Sequence, residues 1–138
     1  MKQILLIISL LFATVSFTYS QGNSAEKTKT NKRISYKKPQ FPGGDRMLMQ
    51  YLSQNITYPQ EAINKGIQGK VYAEFTIGID GTISDIKIHR GIGGGCDEET
   101  IRVIKSMPKW KPAEQKGKRI KVKHALPVQF YLPRKKRN

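Results

Sequence analysis

Hydrophobic residues first recur at helical spacing in residues 45–55. Four apolar side chains there share one helical face, namely those of Met47, Leu48, Tyr51 and Leu52. Asp45 follows two glycines, and its carboxylate is suited to accept hydrogen bonds from the free N–H groups that begin a helix. The pattern therefore predicts a helix that Asp45 caps and that ends near Asn55.

A second, shorter helix is predicted after Pro59. Proline suits the first helical position because its missing N–H needs no partner there. Ala62 and Ile63 are predicted to face inward. Gly66 is suited to end this helix in the left-handed conformation, which glycine adopts without steric cost.

The hydrophobic period then becomes that of a strand. In residues 70–79, apolar side chains at odd positions alternate with mostly polar ones, which is typical of a half-buried strand. Asp80 and Gly81 form a tight-turn signal because both residue types tolerate positive φ. A return strand over residues 82–90 is predicted to complete an antiparallel hairpin.

A glycine-rich stretch, residues 91–95, precedes the next helical pattern. It lacks the Gly-Lys-Ser/Thr ending of a phosphate-binding loop, and three acidic residues, 97–99, stand where an anion would bind. Acidic residues instead complement the positive end of a helix dipole. We therefore expect a turn and then a helix over residues 97–106, stopped by Pro108.

The final stretch, residues 120–132, alternates again. Apolar side chains hold most even positions, and His124 interrupts them as a half-exposed or hydrogen-bonded filler. Pro127 has no N–H to donate, so within a sheet it belongs on an edge strand or at a bulge. An open edge is either merely tolerated or a docking track for an extended segment of another protein. The order of elements predicts an α+β domain, a three-stranded antiparallel sheet with two main helices packed on one face.

Charge changes this picture mainly at the two ends. The 138 residues include 25 Lys/Arg and 10 Asp/Glu, which gives a net charge of +15. Six basic residues lie in residues 21–40 and four in residues 134–138, so we predict a flexible basic linker and a solvated basic tail. The remaining length allows one compact domain, over residues 41–133. Attraction of the flanks to anionic lipid or nucleic acid is the weaker hypothesis, and no nucleic-acid partner is predicted.

Residues 1–20 have the pattern of a secretory signal peptide. Lys2 precedes an apolar core over residues 4–15, and Thr18 and Ser20 are small residues suited to a cleavage site. The core is shorter than the roughly 20 apolar residues of a membrane-spanning helix. Cleavage and retention as a short N-terminal anchor are both open, and either one exports the rest of the chain.

The residue types offer little for catalysis or metal binding. Cys96 is the single cysteine, and neither His89 nor His124 stands at metal-ligand spacing from it. Cys96 is predicted to pack as a small hydrophobic residue. No Ser/His/Asp order or paired-carboxylate motif stands out, so we predict no enzyme activity, no catalytic residue, no cofactor and no metal site.

The residues from Tyr58 to Leu132 contain a combination of marks, namely Tyr58 and Pro59 with Ala62, Gly66, Ile67 and Gly69, then Asp80 and Gly81, then Asp97, the stretch MPKWKP at 107–112, Gly117, Pro127 and Phe130. With these marks, the stretch resembles the C-terminal domain of TonB proteins. The upstream stretch FPGGDRMLMQYL also looks like this family. The resemblance covers about residues 41–133, and its specificity lies in the combination of marks rather than in any one of them.

This resemblance implies a role in transport without covalent chemistry. TonB domains act in the periplasm, where they bind the TonB box of outer-membrane receptors as an added β-strand. Energy delivered by the ExbB–ExbD motor then pulls on the receptor, and nutrients such as iron complexes enter. The implied partners are TonB-dependent receptors, ExbB–ExbD if the chain is membrane-anchored, and, as an open alternative, a second copy in a homodimer.

The resemblance also places partner binding at the last strand and at the segment before the second helix. The predicted partner-binding residues are Asn55, Tyr58, Pro59, Ile120, Lys121, Val122, Lys123, His124, Ala125, Leu126, Val128 and Phe130. Lys121 and Lys123 are expected to favour receptors with acidic residues near the box. A cleavable signal and a short linker depart from the family pattern. They keep open a soluble periplasmic peptide-binding or accessory module without motor coupling.

Overall fold

The computed structural model describes residues 35–134. The helices and strands in this range are, in chain order, β1 (Tyr36–Lys37), α1 (Asp45–Asn55), α2 (Gln60–Lys65), β2 (Gly69–Ile77), β3 (Ile83–Arg90), α3 (Cys96–Lys105), β4 (Ala113–Gln115), β5 (Lys118–Ile120) and β6 (Val122–Phe130). The strands form two antiparallel three-stranded sheets, and the predicted α+β class is confirmed. The predicted signal peptide or anchor, residues 21–34 of the predicted linker and residues 135–138 of the predicted tail lie outside the described residues.

Helix α1 begins at Asp45 as predicted, but a different residue caps it. Gly44 is the N-cap with φ 84°, and its C=O accepts a hydrogen bond from the N–H of Leu48. The Asp45 carboxylate lies in the first turn, where its negative charge interacts favourably with the positive end of the helix dipole. Leu48 is buried as expected, whereas Met47 is 43% exposed. The Met47 side chain folds over Gly43, which has no Cβ to obstruct it.

Helix α2 follows the sequence pattern in part: Ala62 is buried as predicted, but Ile63 is only partly buried, and Pro59, predicted at the first helical position, is the extended N-cap. Pro59 directly precedes its first residue, and Gly66 ends it in the left-handed conformation with φ 66°. The N–H of Ile67 then donates to the C=O of Ala62 at 2.8 Å, which gives the helix end a hydrogen-bond partner.

The main sheet has the strand order β3-β2-β6. Strands β2 and β3 form the predicted hairpin, and β6 pairs with the other side of β2 along its whole length. The register runs from Gly69 opposite Phe130 to Ile77 opposite Val122. Strand β6 is therefore an edge strand of this sheet within residues 35–134, the position that Pro127 predicts.

The hairpin turn is held against the segment that follows α3. Gly81 has φ 85°, and its C=O accepts a hydrogen bond from the N–H of Trp110 at 3.0 Å. A Cβ at position 81 would collide with the backbone carbonyl of Trp110. Glycine is thus required at this turn both for its φ and for the close approach of Trp110.

A second, smaller sheet differs from the prediction. The stretch expected to be one long final strand divides at Lys121, so that β5 pairs with β4 while β6 pairs with β2. Strand β1 completes this sheet beside β4, and Lys37 Nζ lies 2.9 Å from Glu114 Oε2. The last residues of the predicted linker, 36–40, therefore belong to the fold. Strands of two or three residues are too short to show a hydrophobic period, so the sequence did not predict this sheet.

The core lies between the main sheet and the helices. Its buried apolar residues are Phe41, Leu48, Leu52, Ala62, Val71, Ala73, Phe75, Ile77, Cys96, Val103, Ile104, Trp110, Leu126, Val128 and Phe130. Cys96 packs in this core as the predicted small hydrophobic residue, although it is fully rather than partly buried, and burial raises the pKa of its thiol above the usual value. The side chain is therefore held in its uncharged form, as suits a small hydrophobic residue.

Candidate partner-binding edge

The hydrogen-bonding direction of β6 follows from its proline. Consecutive residues of an antiparallel strand direct their backbone groups to opposite sides. Pro127 has no N–H and lies opposite Tyr72, so we assign it to the side that faces away from β2. Two residues after β6, the N–H of Leu132 donates to the Gln68 side chain, just before β2, at 3.3 Å. Even-numbered positions thus face β2, and odd-numbered positions face outward.

The outer edge of β6 consists of the backbone groups of these outward residues. They are the N–H groups of Lys123, Ala125 and Gln129 and the C=O groups of Lys123, Ala125, Pro127 and Gln129. No other strand in the described range pairs with this side of β6, and no backbone group of the remaining loops bonds to it. The outer edge therefore presents three donors and four acceptors to a further strand.

The predicted binding residues on β6 divide into two sets. Leu126, Val128 and Phe130 are buried, so their side chains pack in the core and their backbone groups face β2. Lys123 and Ala125 are exposed and lie on the outer edge. Gln129 and Pro127 also lie there, although they were not among the predicted residues. The sequence could have identified them: Pro127 marks the odd positions of β6 as those whose backbone groups face outward, and Gln129 is at an odd position too.

Three other predicted residues lie away from the outer edge. Ile120 belongs to β5, where it pairs with Ala113, and Lys121 lies at the break between β5 and β6. Val122 faces β2 opposite Ile77, at the start of β6. The position at which β2 ends thus decides where β6, and with it the outer edge, begins.

His124 packs inward as part of an aromatic cluster. Its ring centroid lies 4.9 Å from that of Trp110 and 5.5 Å from that of Phe75. Burial lowers the pKa of His124 below its usual value, so the ring is neutral at neutral pH. The predicted role of a half-exposed filler fits this position better than direct contact with a partner.

The side of the sheet that carries Lys123 has a charge cluster across its three strands. Glu74 on β2 lies 3.4 Å from His89 on β3 and 3.3 Å from Lys123 on β6. The hydrogen bond from His89, together with Lys123, lowers the pKa of the Glu74 carboxyl. Lys121 has no ion pair among residues 35–134, so its charge is available to a partner.

The segment between α1 and α2 is fixed by two side chains of α3. Glu99 Oε1 accepts the N–H of Thr57 at 2.7 Å, and Arg102 Nη2 donates to the C=O of Asn55 at 2.7 Å. Arg102 also donates to Glu99, and this bond lowers the pKa of the Glu99 carboxyl. The two residues hold in place the backbone that leads to Tyr58.

Tyr58 is the predicted residue of this segment that reaches β6. Its hydroxyl donates to the C=O of Ile67 at 2.5 Å, and its ring packs edge-on against Phe130 at 5.6 Å. The Asn55 side chain donates instead to the C=O of Tyr51 within its own helix. Pro59 caps α2 and is not among the residues that line the groove described next.

A groove of about 440 Å³ lies beside the downstream half of the outer edge. Its walls come from α1, from the segment after it and from β6 with the residue that follows: Met49, Leu52, Ser53, Ile56, Tyr58, Pro127, Val128, Gln129, Phe130 and Tyr131. We call it the edge groove. Met49 is 65% exposed although it lies on the wall of this groove, so the groove opens to solvent through an apolar rim.

Glu99→Gln is expected to lower the free energy of unfolding by about 1–2 kcal/mol at neutral pH, because it weakens two charge-assisted hydrogen bonds. Folding lowers the pKa of the Glu99 carboxyl. Its contribution to the free energy of unfolding is therefore complete above the ordinary pKa of an unfolded-state Glu, about 4.3. It is lost as the pH falls through the lower folded pKa. Urea unfolding at several pH values should therefore show the two proteins converging in acid.

Glu98→Gln is the matched control for this measurement. Glu98 is exposed in the same helical turn and makes no side-chain hydrogen bond within residues 35–134. Its replacement is expected to change the free energy of unfolding by less than about 0.5 kcal/mol. Equal losses in the two variants would contradict the role given to Glu99.

Two features of the described part of the chain concern metal-binding clusters and membrane-spanning helices. Residues 35–134 contain no group of three or more His, Cys, Asp or Glu side chains placed to hold a metal ion. In the same range, no helix has the length and apolar character needed to cross a membrane.

Comparisons with known proteins find one family and one set of related structures. The family model described as Gram-negative bacterial TonB protein C-terminal matches residues 54–132. The NMR solution structure of Helicobacter pylori TonB-CTD residues 194–285 is 26% identical, with 64% of this chain and 94% of that chain covered and a TM-score of 0.50. The structure of its residues 179–285 is 25% identical, with 83% and 99% covered and a TM-score of 0.49. No curated protein matches the chain.

Proposed function

The chain belongs to the TonB C-terminal family of Gram-negative bacteria, and from this premise we propose that it binds the TonB box of outer-membrane receptors by β-strand addition. Membership gives the chain a TonB-like role in energy-coupled transport, in a family of non-enzymatic interaction domains. The proposal adds the periplasm as its location, a receptor segment as its partner and the outer edge of β6 as the binding site.

One observation carries this proposal, namely that no strand of residues 35–134 pairs with the outer edge of β6. An added strand would gain up to seven backbone hydrogen bonds there, from the three donors and four acceptors of alternate residues. Backbone bonds of this kind form with nearly any extended sequence and resist a pull shared along the strand. Such a grip suits a domain that draws on a receptor segment, and side chains beside the strand supply the selectivity.

Uptake of nutrients such as iron complexes would follow if a motor pulls on the domain. ExbB–ExbD is the motor that the family resemblance implies, and engagement with it requires an N-terminal segment that stays in the inner membrane. The signal-peptide pattern of residues 1–20 favours a second candidate, a soluble periplasmic peptide-binding module without motor coupling. Fractionation of expressing cells separates the two: a chain retained with the inner membrane supports transduction, and a fully released one supports the soluble module.

Binding of receptor segments is tested with synthetic peptides that span the N-terminal regions of TonB-dependent receptors. We expect the association rate of acidic peptides to fall several-fold in the double variant Lys121→Gln/Lys123→Gln at low salt. The difference should shrink towards ~0.5 M salt, where charges are screened within a few Å. Stopped-flow fluorescence measures the association rates of the unaltered chain and of the double variant at each salt concentration.

The double variant Lys87→Gln/Arg90→Gln is the matched control, since it removes two positive charges from β3 at the opposite side of the same sheet. Its association rate is expected to stay within about twofold of that of the unaltered chain, because these charges lie farther from the outer edge. Equal effects of the two double variants would show that net charge alone attracts the peptides. Absence of binding by every receptor peptide would refute the proposed function itself.

A further inference from the structure

The small sheet of β1, β4 and β5 carries a dense group of positive side chains. Residues 36–40 and 111–120, which contain its strands, include six Lys/Arg and one acidic residue, Glu114. All six basic residues are exposed. Within residues 35–134, Lys37 is the member with an ion pair, to Glu114. We call the six side chains the basic patch: Lys37, Lys38, Lys111, Lys116, Lys118 and Arg119.

The turn between β4 and β5 displays part of this charge. Gln115 pairs with Lys118, so Lys116 and Gly117 are the two central residues, with φ 52° and 77°. Positive φ at both positions is the pattern of a type I′ turn, in which asparagine, aspartate or glycine is the usual first residue. Lysine there is strained, and a Cβ at Gly117 would meet open space. The chain thus keeps a positive charge at an open turn where other residue types would be less strained.

The chain enters the domain at this same sheet. Strand β1 lies beside β4, and the C=O of Ser35 accepts a hydrogen bond from the N–H of Lys116 at 3.0 Å. The sequence before Ser35 includes the apolar stretch of residues 4–15. If that stretch is held in a membrane, the small sheet is the part of the domain that follows it first along the chain.

The residue types of the basic patch favour a surface of phosphate head groups. Five of the six are lysines, which suit diffuse attraction rather than the bidentate contacts that arginine makes. Each Lys or Arg close to an anionic bilayer strengthens binding about fivefold. Tyr36 on β1 is 53% exposed, and tyrosine is enriched at membrane–water interfaces. The signal-peptide pattern of residues 1–20 predicts export, which disfavours nucleic acid as the partner.

We propose that the basic patch binds the surface of a bilayer that contains anionic phospholipids, with the β4–β5 turn in contact with the phosphate head groups. This contact keeps the domain at the membrane surface through the sheet at which the chain enters. The proposal does not depend on strand addition, because the patch includes neither the outer edge of β6 nor the edge groove.

The test measures co-sedimentation of the full chain with vesicles of phosphatidylglycerol and phosphatidylcholine in equal parts, and with vesicles of phosphatidylcholine alone. The neutral vesicles show what the apolar N-terminal stretch contributes without charge. The triple variant Lys116→Asn/Lys118→Gln/Arg119→Gln is expected to bind the anionic vesicles about 10- to 100-fold more weakly than the unaltered chain, because three charges leave the patch. The difference should shrink towards ~0.5 M salt.

The triple variant Lys70→Gln/Lys87→Gln/Arg90→Gln is the matched control. It also removes two lysines and one arginine, which are exposed on β2 and β3 outside the basic patch. Its binding to the anionic vesicles is expected to weaken less than about threefold, because charges beyond a Debye length are screened.

The single variant Lys116→Asn separates loss of charge from loss of fold. Asparagine suits the first position of a type I′ turn better than lysine does, so the temperature of thermal unfolding should rise. Binding to the anionic vesicles should nevertheless weaken about fivefold.

Three results would overturn the proposal. Equal losses in the two triple variants would show that net charge, rather than the basic patch, attracts the chain to the vesicles. Binding to the anionic vesicles that is no stronger than binding to the neutral ones would show that the patch does not recognise lipid phosphate. Displacement of the vesicle-bound chain by duplex DNA at equal phosphate concentration would assign the patch to nucleic acid instead.

Discussion

Trp110→Ala is expected to lower the free energy of unfolding by about 3–5 kcal/mol, which is a large part of the roughly 5–15 kcal/mol that stabilises an ordinary domain. Trp110 is 4% exposed. Its ring packs edge-on against Phe41 and Phe75 at 5.7 and 5.5 Å and lies 4.9 Å from His124. Its removal would leave a cavity where the hairpin turn, the segment before α1 and β6 meet. Urea unfolding followed by far-UV circular dichroism measures the loss.

Two further variants control this expectation. Trp110→Phe should cost less than Trp110→Ala, about 1–2 kcal/mol, because phenyl keeps six of the nine ring atoms and the indole Nε1 makes no hydrogen bond within the described residues. Tyr131→Ala removes a ring that is 74% exposed and should change stability by less than about 0.5 kcal/mol. A loss below about 1 kcal/mol for Trp110→Ala would mean that this cluster does not hold the fold together.

Ala125→Pro is expected to weaken capture of receptor peptides about 10- to 100-fold, because it removes one of the three outward N–H donors and leaves a carbonyl of the partner unpaired. The N–H of Ala125 is assigned to the outer edge, so the substitution removes no hydrogen bond to β2. Only a modest loss of stability is therefore expected. Ala125→Ser keeps the N–H and should bind as the parent does. Isothermal titration measures the affinities, and thermal unfolding checks each variant.

Leu126→Pro supplies the contrasting position on the same strand. Leu126 is buried opposite Ala73, and its N–H is assigned to β2. Proline there would break the internal ladder and vacate the core, so the fold should lose about 3 kcal/mol or more. Equal losses of stability at positions 125 and 126 would contradict the assignment of odd residues to the outer edge.

The sequence was sufficient to predict those parts of the fold in which hydrophobic residues recur regularly over many positions, or in which a glycine or proline marks a boundary. Helix α1 follows from hydrophobic spacing, whereas the end of α2, the hairpin of β2 and β3, and the edge position of β6 follow also from Gly66, Gly81 and Pro127. The two glycines allow the positive φ that these places require, and the proline removes an N–H from the strand, so each residue favours one local arrangement. The local pattern and the final fold therefore agree at these places.

The division of the last strand could not be predicted in the same way. Alternation continues through Lys121 with no breaking residue, and the break arises because β2 ends at Ile77, opposite Val122. The chain before that point has no further β2 residue to pair with and joins β4 instead. The length of a neighbouring strand, which local sequence does not encode, fixed this boundary.

Prediction of the candidate site from the sequence was limited in the same way. The sequence identified the strand, but it did not separate Lys123 and Ala125, which face outward, from Leu126 and Val128, which pack in the core. Met49 gave no signal as a groove residue, because its place on the groove wall depends on how α1 packs beside β6. Tertiary packing, rather than residue type, made it a candidate for partner contact.

Amide hydrogen exchange followed by NMR tests the outer edge most directly. In the free chain, the amides of Lys123, Ala125 and Gln129 should exchange rapidly, whereas those of Leu126 and Val128 should be protected by β2. Addition of a receptor peptide should slow exchange at the three outward amides and leave the inward ones unchanged. Slow exchange of the outward amides in the free chain, or no change on peptide binding, would show that β6 is not the strand to which a partner adds.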